Sequence, residues 1–170
     1  MLKKMHYKIL EYSSFRFIIA LYIILVVSFI LPVEIVQNLF FSYTIEENSF
    51  SSISDNWVYS LILVSVVGPI IETLIFQIVL IKFFHYILMV YFNKGKNEIS
   101  IKFGAVFLSA LVFGATHYFS LFYALVIFIL GFYLGIIYYY SKKKRIVPFY
   151  PIAIIHSLYN LTVVLLDSLY

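Results

Sequence analysis

Residues 57–92 read WVYSLILVSVVGPIIETLIFQIVLIKFFHYILMVYF, a stretch that is apolar almost from end to end. As one continuous helix it would extend about 54 Å, well beyond the roughly 30 Å hydrocarbon core of a bilayer. Glu72 lies near its centre, between Gly68-Pro69 and Lys82. We therefore expect a membrane-spanning helix that kinks near Gly68-Pro69, carries a carboxylate inside the bilayer and ends along the interface after Lys82.

The whole chain has the composition of an integral membrane protein. Of its 170 residues, 64% are hydrophobic and 12% are charged, whereas soluble domains are about half apolar. Further apolar runs suited to crossing a bilayer lie at residues 15–31, 103–118, 121–140 and 147–166. The sequence predicts an all-α, polytopic membrane helical bundle of about five transmembrane helices. We expect residues 1–56 to form an N-terminal anchor helix and external loop, and residues 57–170 to form the core.

The charged residues predict an orientation in the membrane. The linker at residues 32–56 is acidic and lacks Lys and Arg, whereas residues 94–102 and 142–145 are basic. By the positive-inside rule, the N-terminus is then cytoplasmic and the C-terminus external. Basic residues at the helix ends favour a membrane over a nucleic-acid partner. The small, Lys- and Ile-rich chain indicates a bacterial cytoplasmic membrane, and the absence of cysteine excludes disulfides.

Polar side chains interrupt the second, third and fifth apolar runs: Glu72, His117, and His156 with Asn160. Measured from the basic helix ends, they lie about 15 to 22 Å along their helices, near mid-membrane. A single histidine there often only binds a backbone carbonyl, and a lone glutamate can be structural. Because each ionisable group costs roughly 2.5–3.5 kcal/mol at that depth, we expect the set to form one intramembrane polar site.

One carboxylate and two imidazoles suit two hydrolytic chemistries. Glu72, His117 and His156 can bind one divalent metal such as zinc and leave a position for water. Alternatively, the carboxylate and an imidazole can activate water directly as general base and acid. Asn160 can donate a hydrogen bond to a developing oxyanion. Both routes predict hydrolysis, and the residues themselves leave the choice open.

The motifs around these residues resemble a known family, whose pattern is EExxxR on one helix, FxxxH on a second and HxxxN or HxxxD on a third. Here the corresponding segments are ETLIFQ at residues 72–77, FGATH at residues 113–117 and HSLYN at residues 156–160. The chain resembles the CPBP intramembrane proteases, also called the Abi family. That family includes type II CAAX prenyl proteases and bacterial proteins linked to bacteriocin processing or self-immunity. The resemblance covers roughly residues 57–166.

The resemblance implies a role for each motif residue. Glu72 corresponds to the water-activating glutamate, and His117 and His156 correspond to catalytic or metal-binding histidines. Asn160 corresponds to the residue that stabilises the oxyanion, and Phe113 is expected to support the site. The family is described both as a metalloprotease and as a metal-free, glutamate-dependent enzyme, so a bound divalent metal is an expectation with an open alternative.

The first motif departs from the family pattern at Thr73 and Gln77, where the family has Glu and Arg. These positions are four residues apart, so the family's two charges can pair along one helix face. One interpretation is that a structural ion pair has been replaced as a unit by a neutral pair that can still hydrogen-bond. The other is weakened or lost activity. We favour the first interpretation because Glu72 and the residues of the other two motifs are retained.

Together these features predict an intramembrane endopeptidase that cleaves a peptide bond in a peptide or membrane-protein substrate. The alternative is a non-catalytic bacteriocin immunity or partner-binding protein that keeps the same fold. An ion or proton carrier is a third hypothesis, but such transporters usually contain inverted repeats, and the sequence has no evident repeat. The sequence does not indicate an oligomeric state. The G-x-x-x-G pair Gly131 and Gly135 predicts close helix packing within the chain.

Overall fold

The structure is a computed structural model that describes residues 14–33, Ile35, 57–92 and 97–167. Its helices are α1 Ser14–Val33, α2 Trp57–Phe92, α3 Glu98–Thr116, α4 Leu121–Lys143 and α5 Phe149–Asp167. Within the described ranges there is no strand, and all five helices are long and apolar enough to span a membrane. The predicted all-α membrane fold with about five spans is confirmed.

Polar caps explain where α3 and α4 begin. The side chain of Asn97 accepts a hydrogen bond from the backbone N–H of Ile99 at 3.1 Å, so α3 begins earlier than the apolar run alone indicates. Ser120 does the same for α4, accepting from Tyr123 N–H at 3.1 Å. The last turn of α4 contains Lys142 and Lys143, whose charges suit the negative end of a helix. The helix therefore extends past the apolar run.

Helix α2 is continuous but irregular on both sides of Gly68–Glu72. The segments Leu63–Val67 and Thr73–Leu80 are π-helical, with wider turns than an α-helix. Pro69 explains the first segment, because a proline ring clashes with the carbonyl four residues earlier in a regular α-helix. The distortion therefore lies where the sequence predicted a kink. The interfacial course of the residues after Lys82 stays a prediction.

The protein forms two compact units. The first contains the described parts of Met1–Ile70 and Ile154–Tyr170, and the second is Ile71–Ala153. In the first unit, the Tyr22 hydroxyl hydrogen-bonds with the Thr162 hydroxyl, and the rings of Phe29 and Tyr159 stack with centroids 6.3 Å apart. These contacts join α1 to the end of α5. The proposed division into residues 1–56 and 57–170 stays a prediction.

In the second unit, α3 packs along α4 and along the second half of α2. The helices approach each other closely at the predicted glycine pair. A Cβ atom placed on Gly135 would come within 2.6 Å of Val106 Cγ1 and 3.3 Å of Ile81 Cδ1, and one on Gly131 within 2.7 Å of Phe113 Cδ1. The G-x-x-x-G pair therefore packs inside the chain, as the sequence predicted, because any side chain would separate these helices.

Candidate active site

The second unit brings Glu72 and His117 together. Glu72 ends the short α-helical turn between the π-helical segments of α2, and His117 caps the C-terminus of α3. The His117 Nε2 and Glu72 Oε1 atoms are 3.6 Å apart. Their side chains remain 22% and 29% exposed, so a small molecule can reach both. The sequence predicted this carboxylate–imidazole pair, and the geometry suits general acid–base chemistry.

The carbonyl of Phe113 holds the His117 ring in place. His117 Nδ1 lies 2.9 Å from this oxygen, and the Thr116 hydroxyl donates to the same oxygen at 2.8 Å. The carbonyl is available because the last carbonyls of a helix have no donors in the next turn. A carbonyl can only accept, so the bond requires the proton on Nδ1. In the neutral ring, Nε2 then carries the lone pair that faces Glu72.

Phe113 also fixes the imidazole by packing. Its ring is 1% exposed and meets the His117 ring edge-on, with centroids 4.7 Å apart. The ring of Phe76 from α2 lies on it at 4.9 Å. The predicted supporting role of Phe113 thus has two physical parts, since its carbonyl orients His117 and its ring fills the space beside it.

Thr73 and Gln77 are both fully buried, at 0% and 1% exposure. Neither amide atom of Gln77 has a hydrogen-bond partner, so the expected hydrogen bond between Thr73 and Gln77 is absent. The Gln77 Nε2 atom instead lies 3.5 Å from where a Cβ on Gly131 would be. A glutamine side chain at this position packs against the glycine surface of α4 without reaching Thr73. Thr73 and Gln77 therefore stand where the family pattern has Glu and Arg, but they do not form a hydrogen bond with each other.

Ser109 on α3 is a further part of this unit that sequence reasoning missed. Its hydroxyl, fully buried, donates to the carbonyl of Phe76 inside the second π-helical segment of α2. Inside a bilayer a backbone carbonyl needs a partner from the protein, because water is absent. The detectable signal was a serine within the otherwise apolar stretch 103–115. The sequence alone does not identify the carbonyl to which this serine donates.

The first unit contains His156 and Asn160, one turn apart on α5. His156 is 2% exposed, and Asn160 donates from Nδ2 to the carbonyl of Val64 at 2.8 Å. This carbonyl belongs to the first π-helical segment, where the N–H of Gly68 donates to Leu63. The next residue, Pro69, has no N–H to offer. Asn160 therefore supplies to Val64 a donor that the α2 backbone lacks, a role the sequence did not suggest.

The four predicted site residues thus divide between the two units. Glu72 and His117 form a pair in the second, and His156 and Asn160 share a helix face in the first. The convergence of all four on one site stays a prediction.

The donor set for a metal is incomplete in the described ranges. No group of three or more His, Asp or Glu side chains is placed there to hold a metal ion. Glu72 and His117 offer two ligands, whereas a zinc site with an open position for water commonly uses three protein ligands. We therefore assign no step of the chemistry to a metal. One divalent ion on Glu72, His117 and His156 stays a proposal.

Comparison with known proteins agrees with the motifs. A family model described as type II CAAX prenyl endopeptidase Rce1-like matches residues 54–162. This range includes α2, α3, α4 and the part of α5 that carries His156 and Asn160. No curated protein and no solved structure matches the chain. Because the model covers well over half of the sequence, this helical membrane protein belongs to the type II CAAX prenyl endopeptidase Rce1-like family.

Proposed function

We propose that the protein is an intramembrane endopeptidase that hydrolyses a peptide bond of a membrane-associated or peptide substrate with a water activated by Glu72 and His117. The observation that carries this proposal is the Glu72–His117 pair, with 3.6 Å between Oε1 and Nε2. The pair lies on membrane-spanning helices, where an ionisable side chain is functional by default. The family match supports endopeptidase chemistry at the level of the family.

The mechanism follows from two hydrogen-bond acceptors, the Glu72 carboxylate and His117 Nε2. A water donates one hydrogen to the Glu72 carboxylate and the other to His117 Nε2, because Nδ1–H is already bonded to the Phe113 carbonyl. Glu72 removes a proton as the water oxygen bonds to the carbonyl carbon of the peptide. The protonated Glu72 then gives this proton to the amide nitrogen as the C–N bond breaks. The products are a carboxylic acid and an amine.

His156 and Asn160 complete the proposal as second histidine and oxyanion donor. Asn160 Nδ2 carries two hydrogens, of which Val64 takes one. The alternative is a metal-assisted variant of the same hydrolysis, in which Glu72, His117 and His156 would hold one divalent ion and the ion would supply Lewis-acid chemistry.

The test compares Glu72→Gln with wild type in reconstituted vesicles. The probes are a farnesylated peptide that ends in a CAAX sequence and the same peptide without the lipid, with cleavage followed by mass spectrometry. Loss of a positioned general base should lower the rate at least about 100-fold. The matched control is Leu74→Ala, at a half-exposed apolar position of the same helix, which should cleave like wild type.

The proposal fails if wild type cleaves a peptide and Glu72→Gln cleaves it at the same rate. Metal analysis of active protein, followed by chelation, separates the two hydrolytic variants. Chelation should abolish cleavage only if a metal takes part.

A non-catalytic immunity or partner-binding protein is the second candidate. The observation that favours it is Gln77, whose buried amide has no hydrogen-bond partner where the family has an arginine. This candidate predicts that wild type cleaves neither peptide, and that cells with Glu72→Gln in place of wild type keep their full bacteriocin resistance.

A further inference from the structure

A cluster of basic and aromatic side chains lies at one end of the second unit, away from Glu72 and His117. We call it the basic–aromatic cluster; its members are His85 on α2, Glu98 and Lys102 on α3, and Tyr138, Tyr139 and Lys142 on α4. His85 Nδ1 lies 3.0 Å from the Tyr139 hydroxyl and joins α2 to α4. None of these residues belongs to the family motifs described above.

The cluster places two ammonium groups beside the neighbouring tyrosine rings of α4. Lys102 Nζ lies 5.8 Å from the centroid of the Tyr139 ring, and Lys142 Nζ lies 4.9 Å from that of Tyr138. Glu98 pairs with Lys102 at 2.6 Å, so two positive charges against one negative charge leave an excess of one. A net positive charge at this end of the unit favours binding of an anion.

The backbone beside the cluster places a further basic residue, Arg145, in the turn after α4. The N–H of Ile146 donates to the carbonyl of Ser141, and that of Arg145 to Lys142, which is the pattern of a Schellman motif. The position at its turn is usually glycine, yet Arg145 occupies it with φ 58°. A side chain in this left-handed region is strained, whereas glycine adopts it without a steric penalty. The chain thus keeps a cation at a position where glycine would be more stable.

We propose that the basic–aromatic cluster binds the phosphate group of an anionic phospholipid. The two ammonium groups contact the phosphate, while the partly exposed Tyr139 ring and the lysine stems pack beside the glycerol and upper acyl region. A lipid is favoured over free phosphate because Lys102 and Lys142 lie near the ends of helices long and apolar enough to span a membrane, where basic residues attract anionic head groups. Binding would hold the ends of α2, α3 and α4 together.

The experiment measures the thermal unfolding temperature of the purified full chain in a mild detergent. Added phosphatidylglycerol is compared with phosphatidylcholine and with inorganic phosphate at equal concentration. We expect phosphatidylglycerol alone to raise the unfolding temperature, and native mass spectrometry to show one retained phosphatidylglycerol molecule.

Charge-matched variants locate the site. Lys102→Gln and Lys142→Gln should each lose most of the phosphatidylglycerol-dependent shift, whereas Lys82→Gln, an exposed lysine of α2 outside the cluster, should keep it. Lys102→Arg and Lys142→Arg retain the charge and should retain the shift. If a glutamine variant does not fold, its arginine counterpart still tests the site by the lipid adduct in native mass spectrometry.

Specific results would overturn the proposal. An equal shift with phosphatidylcholine would mean that no anionic head group is recognised. An equal shift with inorganic phosphate would mean that the site takes a free anion and not a lipid. Loss of the shift in Lys82→Gln to the same extent as in the cluster variants would mean diffuse surface attraction without a defined site.

Discussion

At Asn160, a side-chain amide takes over a hydrogen bond that the main chain of α2 cannot make. Pro69 has no N–H, and Gly68 donates to Leu63, so the Val64 carbonyl depends on Asn160. The family resemblance implied an oxyanion role for this residue. The structure adds a structural role in the first unit, and an asparagine can perform both because its amide nitrogen carries two hydrogens.

This role predicts how Asn160 and Pro69 depend on each other. Asn160→Ala leaves the Val64 carbonyl without its donor and should lower the free energy of unfolding by about 1–3 kcal/mol. Pro69→Ala restores a backbone N–H that can reach that carbonyl. Asn160→Ala should therefore lower the free energy of unfolding by less in the Pro69→Ala variant than in the wild-type chain.

Unfolding in mixed micelles, followed by circular dichroism, measures the cost of Asn160→Ala in the wild-type chain and its cost in the Pro69→Ala chain. If the costs of the two changes simply add, the amide of Asn160 does not substitute for the proline's missing donor. Asn160→Asp provides a second check, because a carboxylate facing a carbonyl should destabilise more than alanine does.

Gln77 predicts a stabilising substitution. Its two amide atoms are buried without a hydrogen-bond partner, and each such atom carries a desolvation penalty. Gln77→Met keeps nearly the same shape without the buried amide, so the free energy of unfolding should rise by about 1 kcal/mol. The measurement is the same micelle unfolding curve. A loss of stability in Gln77→Met would mean that the amide makes a bond the structure does not contain.

Among the elements, α2 is distinguished by two π-helical segments, and a side chain from another helix binds a carbonyl in each. Asn160 donates to Val64 in the first, and Ser109 donates to Phe76 in the second. A π-helical segment disturbs the regular backbone ladder, and inside a bilayer a disturbed carbonyl has no water to bind. The polar residues of α3 and α5 thus stabilise the irregular backbone on both sides of Glu72.

The contact between α3 and α4 predicts a difference between two glycines. In Gly131→Ala the new methyl group would lie 2.7 Å from Phe113 Cδ1, a fully buried ring atom, and overpacking of this kind typically costs about 1–3 kcal/mol. In Gly104→Ala the nearest atom is Leu88 Cδ1 at 3.0 Å, the mobile end of a flexible side chain. Gly104→Ala is therefore the control and should leave the free energy of unfolding nearly unchanged.

Activity adds a second readout to this pair of variants. Displacing Phe113 moves the carbonyl that orients His117, so Gly131→Ala should also slow any cleavage of the test peptide, and Gly104→Ala should not. Equal stability and equal cleavage in the two variants would contradict the close packing at Gly131.

For the molecule as a whole, the charge pattern predicts a topology that the structure leaves untested. The chain has no cysteine, so single cysteines can be introduced without a background. Phe119→Cys, in the exposed turn between α3 and α4, should react with a membrane-impermeant maleimide on intact spheroplasts. Lys144→Cys, in the turn after α4, should react only after the membrane is opened. The reverse pattern would overturn the predicted orientation.

Sequence reasoning succeeded for features that depend on local pattern. Apolar runs of sufficient length located the five helices, since burial in lipid requires continuous apolar surface. The spacing of FxxxH placed Phe113 and His117 on one helix face, and the cost of a buried charge made Glu72 a candidate site residue, whose role stays a prediction. Errors occurred where pairing depends on packing: Thr73 and Gln77 do not hydrogen-bond, because Gln77 lies against the glycine surface of α4.

The order of residues alone was enough to establish a helical membrane protein, its family and its candidate residues. Hydrophobic length and motif spacing act within a single helix, so they can be read along the chain. Only the tertiary structure decided that Glu72 Oε1 lies 3.6 Å from His117 Nε2, that the Phe113 carbonyl sets the imidazole proton, and that Asn160 serves Val64. The first and the last join residues far apart in sequence, and their distances follow from how the helices pack; the bond from His117 to Phe113 depends on how α3 ends.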